Sequence, residues 1–526
     1  MAPSLAERVA NKRFESNEML PVFQLPNELL GMVAAHLMPI AGSALNPRTY
    51  PIIALSHACR RWRDATITPI CSSCWSTIPL SNLFWMNICL ERSRNSPISV
   101  SISSAEMPSS EAIVTRLSPY MGRVDALFVS SRFYPDSIPE SLWSLLMLNA
   151  PSIESLTFEF NTATEEEHVD LPSNIFAGQA PRPLEYLESL FCNFSPAPHF
   201  LRAPNLTMLK LDQCTLWETM DDMCASLRAM PLLEVFYAYR CTLIEDIEND
   251  YIPPPAQDFA RSIPMIHLNS FVVESWLYSA MTLFEALAIP FTADIKLKND
   301  QHDFIVGDAA CTRLAALLKA HLSSLLSAKT IATDLFIGAR GDDTTVSWNY
   351  AISAELMRDH SNHLPDWVSS YDESTPLSIT IEVGIDMPDA DTDRLFGILV
   401  DAFFSNTTSM YLLALDWRPR LLLPFVQRLP ELQSLRLDRA SLAFLLPEIC
   451  SEGSLPTQLP GLRELRLQDL DLTEDVILTL LFASLRMMSA KGLRISIKDC
   501  AVTAGTVEKL RLLSDVEWDG VTKKRS

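Results

Sequence analysis

Two cysteines three residues apart, Cys71 and Cys74 in CSSC, have the spacing with which a zinc site begins. A tetrahedral site needs two more ligands. The nearby candidates His57, Cys59 and Cys89 form no second close pair, so these cysteines read as reduced thiols. His360 and His363 in HSNH could share one helical face, but the LPDWVSSYDES that follows has the composition of a loop. DADTDR, from Asp389, starts like a calcium loop, yet it lacks Gly at the sixth position and has Val400 where the twelfth-position Glu belongs. EEEH, from Glu165 to His168, is the charge run of a solvated loop. No spacing selects a Ser–His–Asp triad, and GxGxxG, GxxxxGK[ST], GxSxG and HExxH do not occur. Only 14 glycines in 526 residues also disfavours phosphate-cradling loops. The expectation is a non-catalytic protein with no metal and no cofactor.

The densest group of reactive types is ALSHACRRWRD, Ala54 to Asp64. It could be a basic nucleic-acid patch, a thiol site or a docking helix. Leu55, Ala58, Cys59 and Trp62 fall at i, i+3, i+4 and i+7, which predicts one apolar stripe on a short helix. Arg60, Arg61 and Arg63 then fall mainly on the other side. Cys59 lies on the apolar stripe without a fixed partner, which counts against thiol chemistry. Charge counts against nucleic acid: residues 1–95 carry 9 basic and 6 acidic side chains, and the rest carry 33 against 58. A net charge of −22, concentrated after the first hundred residues, repels phosphate backbones. A docking helix remains.

The elements that must position this stretch are legible on either side. LPNELLGMVAAHL, Leu25–Leu37, predicts a helix with Pro26 at its start and Leu29, Leu30, Val33 and Leu37 on one stripe. A Pro-containing loop, then the ALSHACRRWRD helix, then a Pro- and Ser-rich passage lead to Trp75 and a third helix in LFWMNICLERS. From about Pro97 the texture changes to alternating strands, PISVSISS and VDALFVSS. Then the pattern LxxLxLxx(N/C)xL appears, most clearly at Leu206, Leu209, Leu211, Cys214 and Leu216. Copies begin at 153, 233, 432, 462 and 492, and weaker strands are expected near 187, 268, 292, 332, 376 and 410. The mean period of about thirty residues suits a strand plus a helix per repeat, with parallel strands. A layered α/β protein without true repeats is the alternative.

The longest apolar runs, such as SLWSLLMLNAP, stop well short of the roughly 18 residues of a spanning helix. The first twenty residues mix Glu7, Glu15 and Glu18 with basic side chains and resemble neither a signal nor a transit peptide. The 11 scattered cysteines fit a reducing compartment. No membrane and no nucleic-acid partner is expected, and the place of work is the cytoplasm, the nucleus or both. The terminal KKRS reads as a basic tail.

The ordered pattern LPNELLGMVAAHL, ALSHACRRWRDATI and CWSTIPL resembles an F-box, whose usual form is Leu-Pro-x-Glu, a helix, Leu-Ser-x-Val-Cys-Arg-x-Trp-Arg and a later Trp. Leu25, Pro26, Glu28, Leu29, Leu30, Leu37, Leu55, Ser56, Cys59, Arg60, Trp62, Arg63 and Trp75 fall on it. Ala58 departs from the usual Val, and the loop from Met38 to Pro51 is longer than in the shortest F-boxes. The following LERSRNSPISVSIS is similar to the junction in F-box proteins of mushroom-forming fungi. The resemblance covers residues 22–95. It implies an α/β chain with a flexible arm (1–21), a three-helix F-box (22–95), an irregular leucine-rich-repeat solenoid with parallel strands and outer helices (96–520) and a basic tail (521–526). It also implies a substrate receptor of a ubiquitin ligase. Leu25, Pro26, Leu29, Leu30, Leu37, Leu55, Cys59 and Trp62 would dock on a Skp-type adaptor and through it a cullin, while the repeats hold an unidentified protein substrate. Side chains between the strand leucines, such as Lys210, Asp212, Arg436, Asp438, Arg466 and Gln468, are candidates for that contact. The alternative is a repeat scaffold whose F-box remnant assembles no ligase.

Overall fold

The computed structural model describes residues 25–36, 51–103, 110–131, 140–160, 168–194, 198–244, 262–290, 293–299, 312–314, 316–321, 334–340, 343–349, 378–384, 408–413, 428–437, 442, 461–468, 470, 472, 478–479, 481–483, 492–498 and 500–520. The chain is mixed α/β with mostly parallel strands, in two compact units: Met1–Leu233 with Cys241–Asp246, and Glu234–Arg240 with Ile247–Ser526.

The first unit opens with helices α1 (Asn27–His36), α2 (Pro51–Ala58) and α3 (Arg60–Thr66), then a 3-10 helix (Pro69–Trp75). Strand β1 (Thr77–Ile78) follows, then α4 (Leu83–Arg92), whose first turn is capped by the Asn82 side chain accepting from the amides of Phe84 and Trp85. β1 pairs in parallel with β2 (Ile98–Ser103), so the helical module leads without a break into the sheet. After α5 (Ser110–Leu117) comes β3 (Val124–Ser131). After α6 (Glu140–Leu146) come β4 (Ser155–Phe160), β5 (Val169–Asp170), β6 (Tyr186–Leu190), β7 (Cys192–Asn193), β8 (Met208–Asp212) and β9 (Thr215–Trp217). The pairings β2–β3, β3–β4, β4–β6 and β6–β8 are all parallel and follow chain order.

Alternation puts the second and fourth residues of β4, β6 and β8 in the core. Leu206, Leu209, Leu211, Cys214 and Leu216, the clearest copy of the repeated pattern, are all buried. At the expected aromatic substitutes, Phe158 lies 6.1 Å from Phe200, which Phe194 and Phe176 meet edge-on at 5.9 and 6.3 Å. Such pairs add about 0.5–1.5 kcal/mol each beyond area burial.

The corners after the strands share one construction. Phe191, Gln213 and Arg240 have φ of 56°, 49° and 49°, and each directly precedes a buried cysteine: Cys192, Cys214 or Cys241. The left-handed residue costs of order 1 kcal/mol and turns the chain so that the thiol enters the core. There Cys214 Sγ donates to the carbonyls of Asp212 and Ser189 at 3.2 and 3.5 Å, and Cys192 Sγ donates to Leu190 O at 3.6 Å. Carbonyls that leave the ladder thus keep a donor. Beyond the corners, β5, β7, β9 and β11 (Thr242–Ile244) form a small second parallel sheet.

The second unit begins with β10 (Val235–Tyr239), then β12 (Ile263–Pro264), β13 (Ser270–Ser275), helix α8 (Leu277–Ala286), β14 (Leu287–Ala288) and β15 (Asp294–Asn299); helix α7 (Met220–Arg228) belongs to the first unit. β10, β13 and β15 pair in parallel, and β12 pairs in parallel with β14. Here the expectation of uniformly parallel strands needs correcting. β16 (Asp334–Arg340), β17 (Asp343–Asn349) and β18 (Ser378–Gly384) reverse the chain order, with β18 beside β15 and β17 antiparallel to both its neighbours. The residues between β16 and β17, Gly341 and Asp342, are a hairpin-type dipeptide, the signal that marks this strand in the sequence. Regularity resumes through β19 (Ser409–Leu413), β20 (Ser434–Leu437), β21 (Glu464–Gln468) and β22 (Arg494–Lys498) to β23 (Asp515–Trp518), all parallel. Ser434 pairs with Glu464 and Glu464 with Arg494, thirty residues at each step. Cys500 repeats the corner bonds, donating to Leu467 O and Lys498 O at 3.3 Å each. The last helix, α9 (Ala504–Arg511), is capped by Thr503.

Candidate functional site: an apolar edge on the helical module

Pro26 stands just before α1, and the Leu30 amide closes the first turn on its carbonyl at 3.2 Å. The expected single stripe of α1 divides into two faces. Leu30 (1% exposed), Gly31 and Ala34 turn inward, whereas Leu29 (42%), Met32 (59%) and Val33 (41%) lie on the surface. Glycine sets the inward face. A Cβ on Gly31 would come within 2.9 Å of Cys71 Sγ, so its absence lets α1 pack closely on the 3-10 helix. Ile70 of that helix is 63% exposed with Cγ2 4.0 Å from the same position, and Ile67 is exposed at the end of α3. Leu29, Met32, Val33 and Ile70 therefore line an apolar edge.

The single helical stripe predicted across ALSHACRRWRD is also corrected. The helix breaks at Cys59, whose φ of −160° and ψ of 170° are extended, so Leu55 lies on α2 and Trp62 on α3. The arginines explain how the break is held. Arg63 Nε donates to Ser56 O at 3.0 Å, satisfying a carbonyl at the open end of α2. Arg61 Nη2 reaches across the module to Leu25 O at 2.5 Å, and Arg60 makes an exposed 3.7 Å pair with Asp64. Arginine periodicity alone points to solvation. The long-range bond of Arg61, 36 residues from its acceptor, has no signal in a linear pattern.

Trp75 is the hub of the module. It is 1% exposed, donates Nε1–H to Thr66 O at 2.7 Å and carries the Arg92 guanidinium 4.4 Å above its ring. Burial lowers the Arg92 pKa. Cys71, Cys74 and Cys89 are buried free thiols. Burial, with Cys71 beside it, pushes the Cys74 thiol up to about 11, and burial pushes Cys89 to about 12. Both stay protonated at neutral pH, the opposite of a metal-binding or nucleophilic thiol. Among the described residues no group of three or more His, Cys, Asp or Glu is placed to hold a metal ion. His360, His363 and Asp389–Arg394 lie outside the described residues.

Of the residues expected on the docking face, Pro26 and Leu29 are exposed, and Leu25, Leu55, Cys59 and Trp62 are half-buried. Leu30 is inside the module, and Leu37 lies outside the described residues. Met32, Ile67 and Ile70, which periodicity did not single out, are on the surface. A separate aromatic group, exposed Phe84 with Trp85 and His57, sits at the contact of α2 and α4, the rings 5.3 and 5.5 Å from Trp85.

On the sheets, Lys210 and Asp212 are half-buried between core positions, with Lys210 Nζ 5.8 Å from the Tyr186 ring and the Tyr186 hydroxyl donating to Glu188. Arg466 is held by Glu464 at 2.9 Å, and Glu464 also accepts from Ser434 Oγ at 3.1 Å. Arg436 is cross-strand to Arg466, Gln468 to Lys498, and Asp438 lies outside the described residues. No helix among the described residues is long and apolar enough to cross a membrane. No protein-family model matches the chain, and no curated protein does.

Proposed function

We propose that this chain is the substrate-recognition subunit of a Skp–cullin–F-box type ubiquitin ligase. The helical module is the F-box that docks on a Skp-type adaptor and, through it, a cullin. The strand array is a leucine-rich-repeat domain that holds a protein substrate. The observation that carries the reading is the edge of α1: three large apolar side chains, Leu29, Met32 and Val33, left on the surface of a short helix that follows an exposed Pro26. Apolar groups grouped in this way are the anatomy of a protein interface. The module that bears them runs directly into parallel strands whose repeated positions are buried, the arrangement of a docking head on a binding array. The chain itself performs no chemistry under this reading and works in the cytoplasm, the nucleus or both.

The test is co-purification of the full-length chain with a Skp-type adaptor, wild type against Leu29→Glu/Met32→Glu. Wild type is expected to bind and the variant to lose at least tenfold in affinity with an unchanged thermal midpoint. Absence of wild-type binding sinks the ligase reading and leaves a repeat scaffold. That second reading draws on the departures at Ala58 and in the loop after Met38.

A further inference from the structure

Basic residues are distributed unevenly by type. From Arg13 to Leu209 the chain contains twelve arginines and no lysine; all eleven lysines are Lys12 or lie from Lys210 onward. Geometry accounts for four of those arginines. Arg61 and Arg63 donate to the Leu25 and Ser56 carbonyls, and Arg92 lies over Trp75. Arg123 donates through Nη2 to Ser93 Oγ and Ser96 O at 2.8 and 2.7 Å. A planar, multidentate guanidinium suits these places and an ammonium does not. Geometry does not account for Arg60, Arg94 and Arg182. All three are exposed, and the 3.7 Å surface pair of Arg60 with Asp64 would accept lysine as well.

We propose that the lysine-free stretch closes the docking module and the first strands to self-ubiquitination, so that modification of this chain lands outside it, on Lys12 or from Lys210 onward. The exposed acceptors among the described residues are Lys319, Lys498 and Lys509, all in the second unit. Lys210 is half-buried beside Tyr186. This rests on the ligase reading above. The chemistry separates the two cations. In transfer, the neutral ε-amine of lysine attacks the thioester carbonyl that joins the ubiquitin C-terminus to the cysteine of a conjugating enzyme. The C–N bond forms, the C–S bond breaks, and the amine proton passes to the departing thiolate, with no change in oxidation state. A guanidinium stays protonated and offers no such amine. An arginine-only surface keeps its positive charge and solubility while presenting no acceptor.

The experiment uses the full-length chain purified with a Skp-type adaptor and supplied with a cullin–RING core, activating and conjugating enzymes, ubiquitin and ATP. Modified lysines are mapped by the diglycine remnant left after trypsin. Arg60→Lys/Arg94→Lys/Arg182→Lys keeps charge and exposure, and an unchanged thermal midpoint confirms the fold. The expected result is remnants on the new lysines and a several-fold rise in modification of the first unit. Lys319→Arg/Lys498→Arg/Lys509→Arg is expected to lower wild-type modification at least twofold. If the chain joins the core but the three new lysines stay unmodified, the inference is overturned and the ligase reading stands. If the chain does not join the core, both fall.

Discussion

The helical module and the strand array use the same apolar vocabulary to opposite effect. In the array, every leucine of the copies at 206–216 and 462–472 is buried, because each strand pairs in parallel with a neighbour that repeats its alternation. In the module, adjacent Leu29 and Leu30 part company, one on the surface and one fully inside. The module has no repeating neighbour to impose a pattern, so the fit of three unlike segments decides which side chains go in. Apolar spacing therefore predicts burial in the array and predicts only helicity in the module.

Removing a hub from each region tests this contrast most strongly. Trp75→Ala is expected to cost about 3–5 kcal/mol and Leu209→Ala about 2–5 kcal/mol, read by urea denaturation of the full chain. Leu29→Ala should stay within about 0.5 kcal/mol of wild type. Comparable losses at Leu29 and Leu30 would erase the division of α1 into two faces. Next in size is Gly31→Ala, which sets a Cβ 2.9 Å from Cys71 Sγ and should cost about 1–3 kcal/mol. Part of that loss should return in Gly31→Ala/Cys71→Ala; an equal or larger loss there would place the clash elsewhere.

Arg61→Met removes a charge-assisted bond to Leu25 O and is expected to cost about 1.5–3 kcal/mol locally. Amide exchange at residues 28–30 should speed up while strands β6 and β8 keep their protection. Uniform exchange across the first unit would contradict a local role. The smallest effect at neutral pH belongs to the buried thiols. Cys74 and Cys89 have folded values of about 11 and 12 against an ordinary 9.0, so the native state holds its protons more tightly. Their contribution is complete below pH 9 and declines as pH rises through the folded values. Urea midpoints should be flat between pH 7 and 8.5 and fall from pH 9 to 10.5, with a shallower fall in Cys74→Ala. Identical alkaline profiles would show that this thiol is not involved.

Much of the array is legible because its signals are short-range. Strands stand where 187, 268, 292, 376 and 410 place them, and the helix Met220–Arg228 and the helical residues 312–314 and 316–321 occupy the expected intervals between strands. Cysteine at the ninth position of a copy marks a corner at Cys214, Cys241 and Cys500, and Cys192 follows Leu184 and Leu187 at the same spacing. What escaped is non-local. The break at Cys59 depends on Arg63 capping Ser56, the apolar edge depends on Gly31 meeting Cys71, and Arg61 acts on a residue 36 positions away.

By itself the sequence determined the mixed α/β character, the order of module then array, and the buried positions of the clear repeats. Alternation and turn chemistry act between near neighbours and are the same wherever the segment lies. Only the tertiary structure decided which face of α1 is exposed, how Arg61 ties α3 to Leu25 ahead of α1, and that β17 runs antiparallel between β16 and β18. Each of those depends on how closely segments far apart in the chain approach one another, and that distance is set by packing, not by spacing along the chain.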